Sequence, residues 1–170
     1  ADAAAAELTR RIRGRVHSDT SVALANHALL LTLAGKDLSG AEAALREAIG
    51  IERALFPDGS PALGTRLCNL ADLLLRQRRS DEALVVAREA LAVTERFSGG
   101  VNPDVAIAAM TIARALEALG HADGVLALHR RALEVNRATL GPLHRNTILQ
   151  LAYVARAERR AGALDAAIAS

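Results

Sequence analysis

Of the 21 lysine and arginine residues in this chain only Lys36 is a lysine; the others are arginine. A guanidinium is a planar fork of donors that matches carboxylates and phosphates, so such a set suits recognition of acidic groups. A GC-rich bacterial genome produces the same bias, and the composition leaves both explanations open. Four of these arginines fall into a pattern, with Arg114 and Arg156 standing 42 residues apart and Arg76 and Arg160 standing 84 apart. Asn26 and Asn69 stand 43 apart, and each amide offers donors and an acceptor that could hold a peptide backbone. Asp72 and Arg76 are four apart, a spacing at which they can also satisfy each other on one helix.

Chemistry beyond recognition finds little support. His121 and His129 are eight apart with no Cys or acidic companion at metal-ligand spacing, so no metal site is expected. Cys68 lies among leucines and reads as a small core residue. No Gly-x-Ser-x-Gly turn, Gly-rich phosphate loop or His-Glu-x-x-His motif occurs, which points to a protein that is not an enzyme and needs no cofactor. The densest basic run, Arg10, Arg11, Arg13 and Arg15, reads as a solvated helix end. With a net charge of +2 and only Phe56, Phe97 and Tyr153 as aromatics, nucleic acid is not an expected partner. No apolar run approaches the roughly 18 residues of a membrane span. The single cysteine excludes an intrachain disulfide, and the chain, which starts at Ala1, reads as a cytoplasmic fragment of a larger protein.

The elements that position these residues recur. Asn69-Leu70-Ala71, then Arg78, Ala83, Ala90 and Asn102-Pro103-Asp104 are matched upstream by Asn26-His27-Ala28, Gly35, Ala41, Ala48 and Ser60-Pro61-Ala62. Downstream the same track reads Thr111-Ile112-Ala113, Gly120, Val125, Ala132 and His144-Arg145-Asn146, and a fourth copy opens at Tyr153-Val154-Ala155 with Gly162 and Ala167. A fixed period of this length marks stacked units that bury their apolar faces against one another. Within a unit, Ser60 caps a helix with Pro61 at its first position, and Leu63, Leu67, Leu70 and Leu74 form one apolar stripe. Ser80-Asp81-Glu82 opens a second helix that runs to about Phe97 and ends at Gly99-Gly100. His17 and His144 fall in equivalent links and read as cap residues. With 51% hydrophobic but only 2% aromatic residues, the core must be built from Ala and Leu, and the fold is all-α.

These words in this order resemble the kinesin-light-chain-type branch of the tetratricopeptide repeats, which reads Asn-Leu-Ala, Gly, Glu-Ala, Arg-Ala-Leu and a Leu-Gly-x-x-His-Pro-Asp link. The chain supplies Asn69-Leu70-Ala71, Glu82-Ala83, Arg131-Ala132-Leu133, Leu140-Gly141-Pro142-Leu143-His144 and Asn102-Pro103-Asp104. It departs in lacking the aromatic near the start of the second helix, in Gly124-Val125 for Glu-Ala, and in one extra residue between Gly35 and Ala41, as a diverged bacterial relative would. The resemblance implies a right-handed α-α superhelix, or solenoid. It divides into an upstream second helix over 1–16, whole repeats over 17–59, 60–101 and 102–143, and a partial repeat over 144–170 whose second helix begins at Leu164. Broken units at both ends imply self-association.

The resemblance also implies a concave groove lined by the first helices, at the Asn position and four before, three after and seven after it. Those rows read Val22, Asn26, Leu29, Leu33; Thr65, Asn69, Asp72, Arg76; Ile107, Thr111, Arg114, Ala118; and Leu149, Tyr153, Arg156, Arg160. The groove is thus apolar at its first end and arginine-rich at its last. Val22, Thr65, Ile107 and Leu149 stand where the clamp for chaperone C-termini needs lysine, so that activity is not expected. The implied function is protein–protein interaction, with a peptide or partner segment, acidic in character, in the groove. The alternative is a regulatory array packed on a kinase or nucleotide-switch domain of the same parent protein.

Overall fold

The computed structural model describes residue 7 and residues 17–35, 37–98 and 101–169, with side chains to residue 162 except at Ser98. Apart from residue 7, the helix expected over 1–16 with its basic run lies outside the described residues, as do Gly99 and Gly100. Seven helices follow: α1 Ser18–Ala34, α2 Leu38–Leu55, α3 Pro61–Arg76, α4 Ser80–Ser98, α5 Pro103–Ala118, α6 Val125–Leu140 and α7 Arg145–Ala169. No strand occurs among the described residues. The pairs α1–α2, α3–α4 and α5–α6 pack as hairpins, and each second helix also meets the first helix of the next pair.

Local chemistry sets the boundaries. Ser60 Oγ accepts the Leu63 N–H at 3.0 Å and Asn102 Oδ1 accepts the Asp104 N–H at 2.8 Å, each followed by proline in the first turn. His17 and His144 do the same through Nδ1, at 3.1 and 3.2 Å, which gives both histidines the capping place expected of them. Between the helices of each pair the chain reverses on a left-handed residue, Gly35, Arg78 or Gly120, with φ of 64°, 64° and 79°. Arg78 accepts the αL strain that glycine avoids.

The fourth in-phase glycine behaves differently. The turn expected there, with a second helix from Leu164, is replaced by an uninterrupted α7 that runs through Gly162 to Ala169. Glycine permits a reversal without imposing one, and the alanine-rich stretch beyond it continues a helix readily.

Small side chains allow the close crossings. Ala28, Ala41, Ala48, Ala71, Ala83, Ala87, Ala90, Ala113 and Ala132 have no exposed surface. At Gly64 a Cβ would come within 2.6 Å of Thr94 Cγ2, so α3 and α4 approach there only because the side chain is absent. One buried carboxylate ties the first three helices together. Glu52 of α2, 1% exposed, accepts from Ser21 of α1 at 2.7 Å and from Ser60 at 3.0 Å, with Arg66 Nη2 of α3 at 3.9 Å. Its lone pairs are thereby satisfied, as a buried charge requires.

Candidate peptide-binding groove

The first helices α1, α3, α5 and α7 carry the four rows. On α1, Val22, Leu29 and Leu33 are 45%, 48% and 69% exposed, and Asn26 is also open to solvent. Leu29 and Leu33 meet Asn69, Asp72 and Arg76 around a hollow of about 70 Å³, with Thr32 and Leu45 as the remaining walls. Five of the residues singled out from sequence therefore share one depression. The amides of Asn26 and Asn69 make no side-chain hydrogen bond among the described residues, which leaves them available.

Thr111 does not belong to this surface. It has no exposure, and its hydroxyl donates to the Ile107 carbonyl at 2.8 Å. A short β-branched side chain at that crossing satisfies itself on its own helix, where the longer Asn69 and Tyr153 reach out. Thr65 in the same face donates to Asp104 Oδ2 at 2.6 Å across the repeat seam.

The arginines are organised by two carboxylates. Asp72 accepts from Arg76 Nε at 2.8 Å and from Arg114 Nη1 at 2.7 Å. Glu117 accepts from Arg156 Nη2 at 2.6 Å and from Arg160 Nη1 at 3.0 Å. Burial pushes the Asp72 carboxyl up, but the hydrogen bonds and charges of Arg76 and Arg114 outweigh it and hold the group below the usual carboxylate range. Both acids thus bridge successive first helices or turns of one, and each arginine spends only part of its five donors on them.

Behind Arg156 the side chains stack in a column. Its guanidinium lies 5.0 Å from the centre of the Tyr153 ring, and Tyr153 stacks on His129 at 5.3 Å with the planes 7° apart. His129 of α6 has no exposed surface. The Gln150 amide donates to the His129 carbonyl at 3.1 Å, so its NH₂ also faces Nδ1 at 2.9 Å, which must accept. Burial lowers the His129 pKa; Glu117 opposes this, while Arg156 and Arg114 reinforce it. The ring is neutral packing that sets Tyr153 and hence Arg156. Cys68 is similarly inert: burial, with the Asp104 charge adding to it, pushes its thiol up to about 12.

Glu117, His129 and Gln150 were not found from the sequence. Glu117 sits six residues after the Asn position, off the rows used to trace the groove, and its only signal is its place as a lone acid three residues after Arg114. His129 stands in phase with Leu45 and Ala87 of the earlier repeats, and a polar ring at that apolar position was the available sign. Among the described residues no group of His, Cys, Asp and Glu could hold a metal ion, and no helix is long and apolar enough to cross a membrane.

Comparison with known proteins bears on the fold. The tetratricopeptide repeat family matches residues 63–104 and 105–146. No curated protein matches the chain in sequence. Among solved structures, the nearly identical TPR-like repeats of a Podosopora anserina protein assigned as a kinesin light chain superpose with a TM-score of 0.75 at 16% identity, covering 95% of this chain and 76% of that one. A point variant of those repeats gives a TM-score of 0.77 with the same identity and coverage. Arrays of this kind generally mediate protein–protein interaction and are typically non-catalytic scaffolds. The in-phase hairpins and these matches together give the described chain an all-α, TPR-like solenoid fold, with residues 63–146 matching the tetratricopeptide repeat.

Proposed function

We propose that the chain is a non-catalytic module of the kinesin-light-chain-type branch that holds an extended peptide, acidic toward one end, along α1, α3, α5 and α7. The observation that carries this reading is the ratio of four arginines to two carboxylates on one face, each acid shared by two guanidiniums. The surplus is positive, the forks are already oriented, and their unspent donors can take a further carboxylate without breaking the existing bonds. At the other end Leu29 and Leu33 offer apolar ground for a ligand side chain, and Asn26 and Asn69 can hold its backbone.

Magnitude separates a groove from a rim. A hydrogen bond to a charged group contributes roughly 1.5–3 kcal/mol, whereas an exposed ion pair gives less than about 1 kcal/mol. Peptides selected from a random library should be enriched in Asp and Glu, and Arg114→Ala or Arg156→Ala should weaken the best of them about tenfold or more. Selection without acidic enrichment, or affinities unmoved by both substitutions, would remove the assignment.

A further inference from the structure

The arginines lie outside the acids that hold them. The Glu117 side chain is 12% exposed, against 39% for Arg156 and 63% for Arg160, and Asp72 is likewise less open than Arg76. Each guanidinium spends one nitrogen on its acid: Nε of Arg76, Nη1 of Arg114, Nη2 of Arg156 and Nη1 of Arg160. Two arginines on one carboxylate leave each triad a single positive charge in surplus, carried on its outer layer. The triads also repeat. Arg114 and Arg156 are in phase, and each reaches back by one first helix, Arg114 of α5 to Asp72 of α3 and Arg156 of α7 to Glu117 of α5. Packed helices stand about 8–10 Å apart, so the two surplus charges are separated by about that distance along the groove.

A ligand that meets both triads must project two carboxylates from one side of its chain at that interval. A β-strand returns a side chain to the same side after two residues, about 7 Å, or four, about 13 Å, and neither fits. A polyproline II chain has three residues per turn and a rise of about 3.1 Å, so positions three apart share a side about 9 Å apart. An α-helix comes near the interval only at positions seven apart, about 10.5 Å, and its backbone groups are already paired. The groove offers the free amides of Asn26 and Asn69, which suit a backbone that still needs partners, and polyproline II makes no internal hydrogen bonds. Resting on the groove reading above, we propose that the ligand is a polyproline II segment with two acidic side chains three residues apart. One carboxylate meets Arg76 and Arg114, and the other meets Arg156 and Arg160.

The test is a series of synthetic peptides, identical except that two aspartates are set from two to seven positions apart, with single-aspartate controls. Titrated into the full chain by calorimetry, the Asp-x-x-Asp peptide should bind about tenfold or more tighter than either control, and tighter than every other spacing. Asp-Pro-Pro-Asp should bind at least as well, because proline favours polyproline II. Arg114→Ala and Arg156→Ala should each bring Asp-x-x-Asp down to the level of a single aspartate. An optimum at two or four positions would make the ligand a strand, and one at seven a helix; either overturns the proposal. So would affinity that does not depend on spacing, or loss of binding in the Asp-Pro-Pro-Asp peptide. If single-aspartate peptides bind and Arg156→Ala weakens them while spacing has no effect, the groove reading stands and this inference alone falls. If no acidic peptide binds, the groove reading itself has failed.

Discussion

At the scale of single residues, His129 shows a buried polar group only half completed by its neighbours: Nδ1 is met by Gln150, while Nε2 has no hydrogen-bond partner among the described residues. Its Nδ1 faces an amide donor, its ring is closed between α6 and α7, and the charges around it are Arg114 and Glu117 on α5 and Arg156 on α7. Protonation would set two donors against each other and bury a charge. The folded pKa is depressed, so below the unfolded value of about 6.5 the unfolded chain binds more protons than the native one. The stability is therefore fully present above that pH and is lost as pH falls below it. Urea midpoints compared at about pH 7.5 and pH 5.5 should drop further in the wild type than in His129→Ala, which restores the alanine that α4 carries at Ala87. Equal drops in the two proteins would show that the ring does not sense pH.

At the scale of elements, the helices and their order follow from local signals. Ser60-Pro61 and Asn102-Pro103 cap and start helices wherever they occur, and the in-phase alanines specify close crossings, so the hairpins were legible in the sequence. The contacts that finish the site were not. Glu52 meets Ser21 across 31 residues and Arg156 meets Glu117 across 39, distances at which periodicity says which face a residue occupies but not which partner it finds. Thr111 stands in phase with three groove residues, Asn26, Asn69 and Tyr153, and yet turns inward, because side-chain length decides whether a position at the crossing reaches the surface. Gly162 failed as a turn signal for the related reason that a reversal needs a covered face as well as a permissive residue. The crossings themselves can be tested. Ala71 packs with Ala87 and Ile112, and Ala113 packs with Val125 and Ala157, both without exposure. Replacing either with Leu should cost about 1–3 kcal/mol by overpacking. Ala92→Leu, on the exposed side of α4, should change stability by less than about 0.5 kcal/mol. Equal melting shifts at the buried and exposed sites would place the crossings elsewhere.

At the scale of the whole molecule, the stack of hairpins brings distant rows into one surface with two characters. Leu29 and Leu33 lie at one end, and the acids Asp72 and Glu117 hold four arginines toward the other. Because each repeat touches only its neighbours, this gradient is set by substitutions within rows and leaves the packing of other repeats untouched. The functional claim rests on those arginines meeting a ligand carboxylate directly. The most direct measurement is a double-mutant cycle between the protein and the best selected peptide, pairing Arg156→Ala with replacement of each peptide Asp or Glu by its amide. The account predicts that one acidic position couples to Arg156 by about 1.5 kcal/mol or more, while the others do not. Coupling below about 0.5 kcal/mol at every acidic position would contradict it, because the arginines would then be serving Asp72 and Glu117 alone.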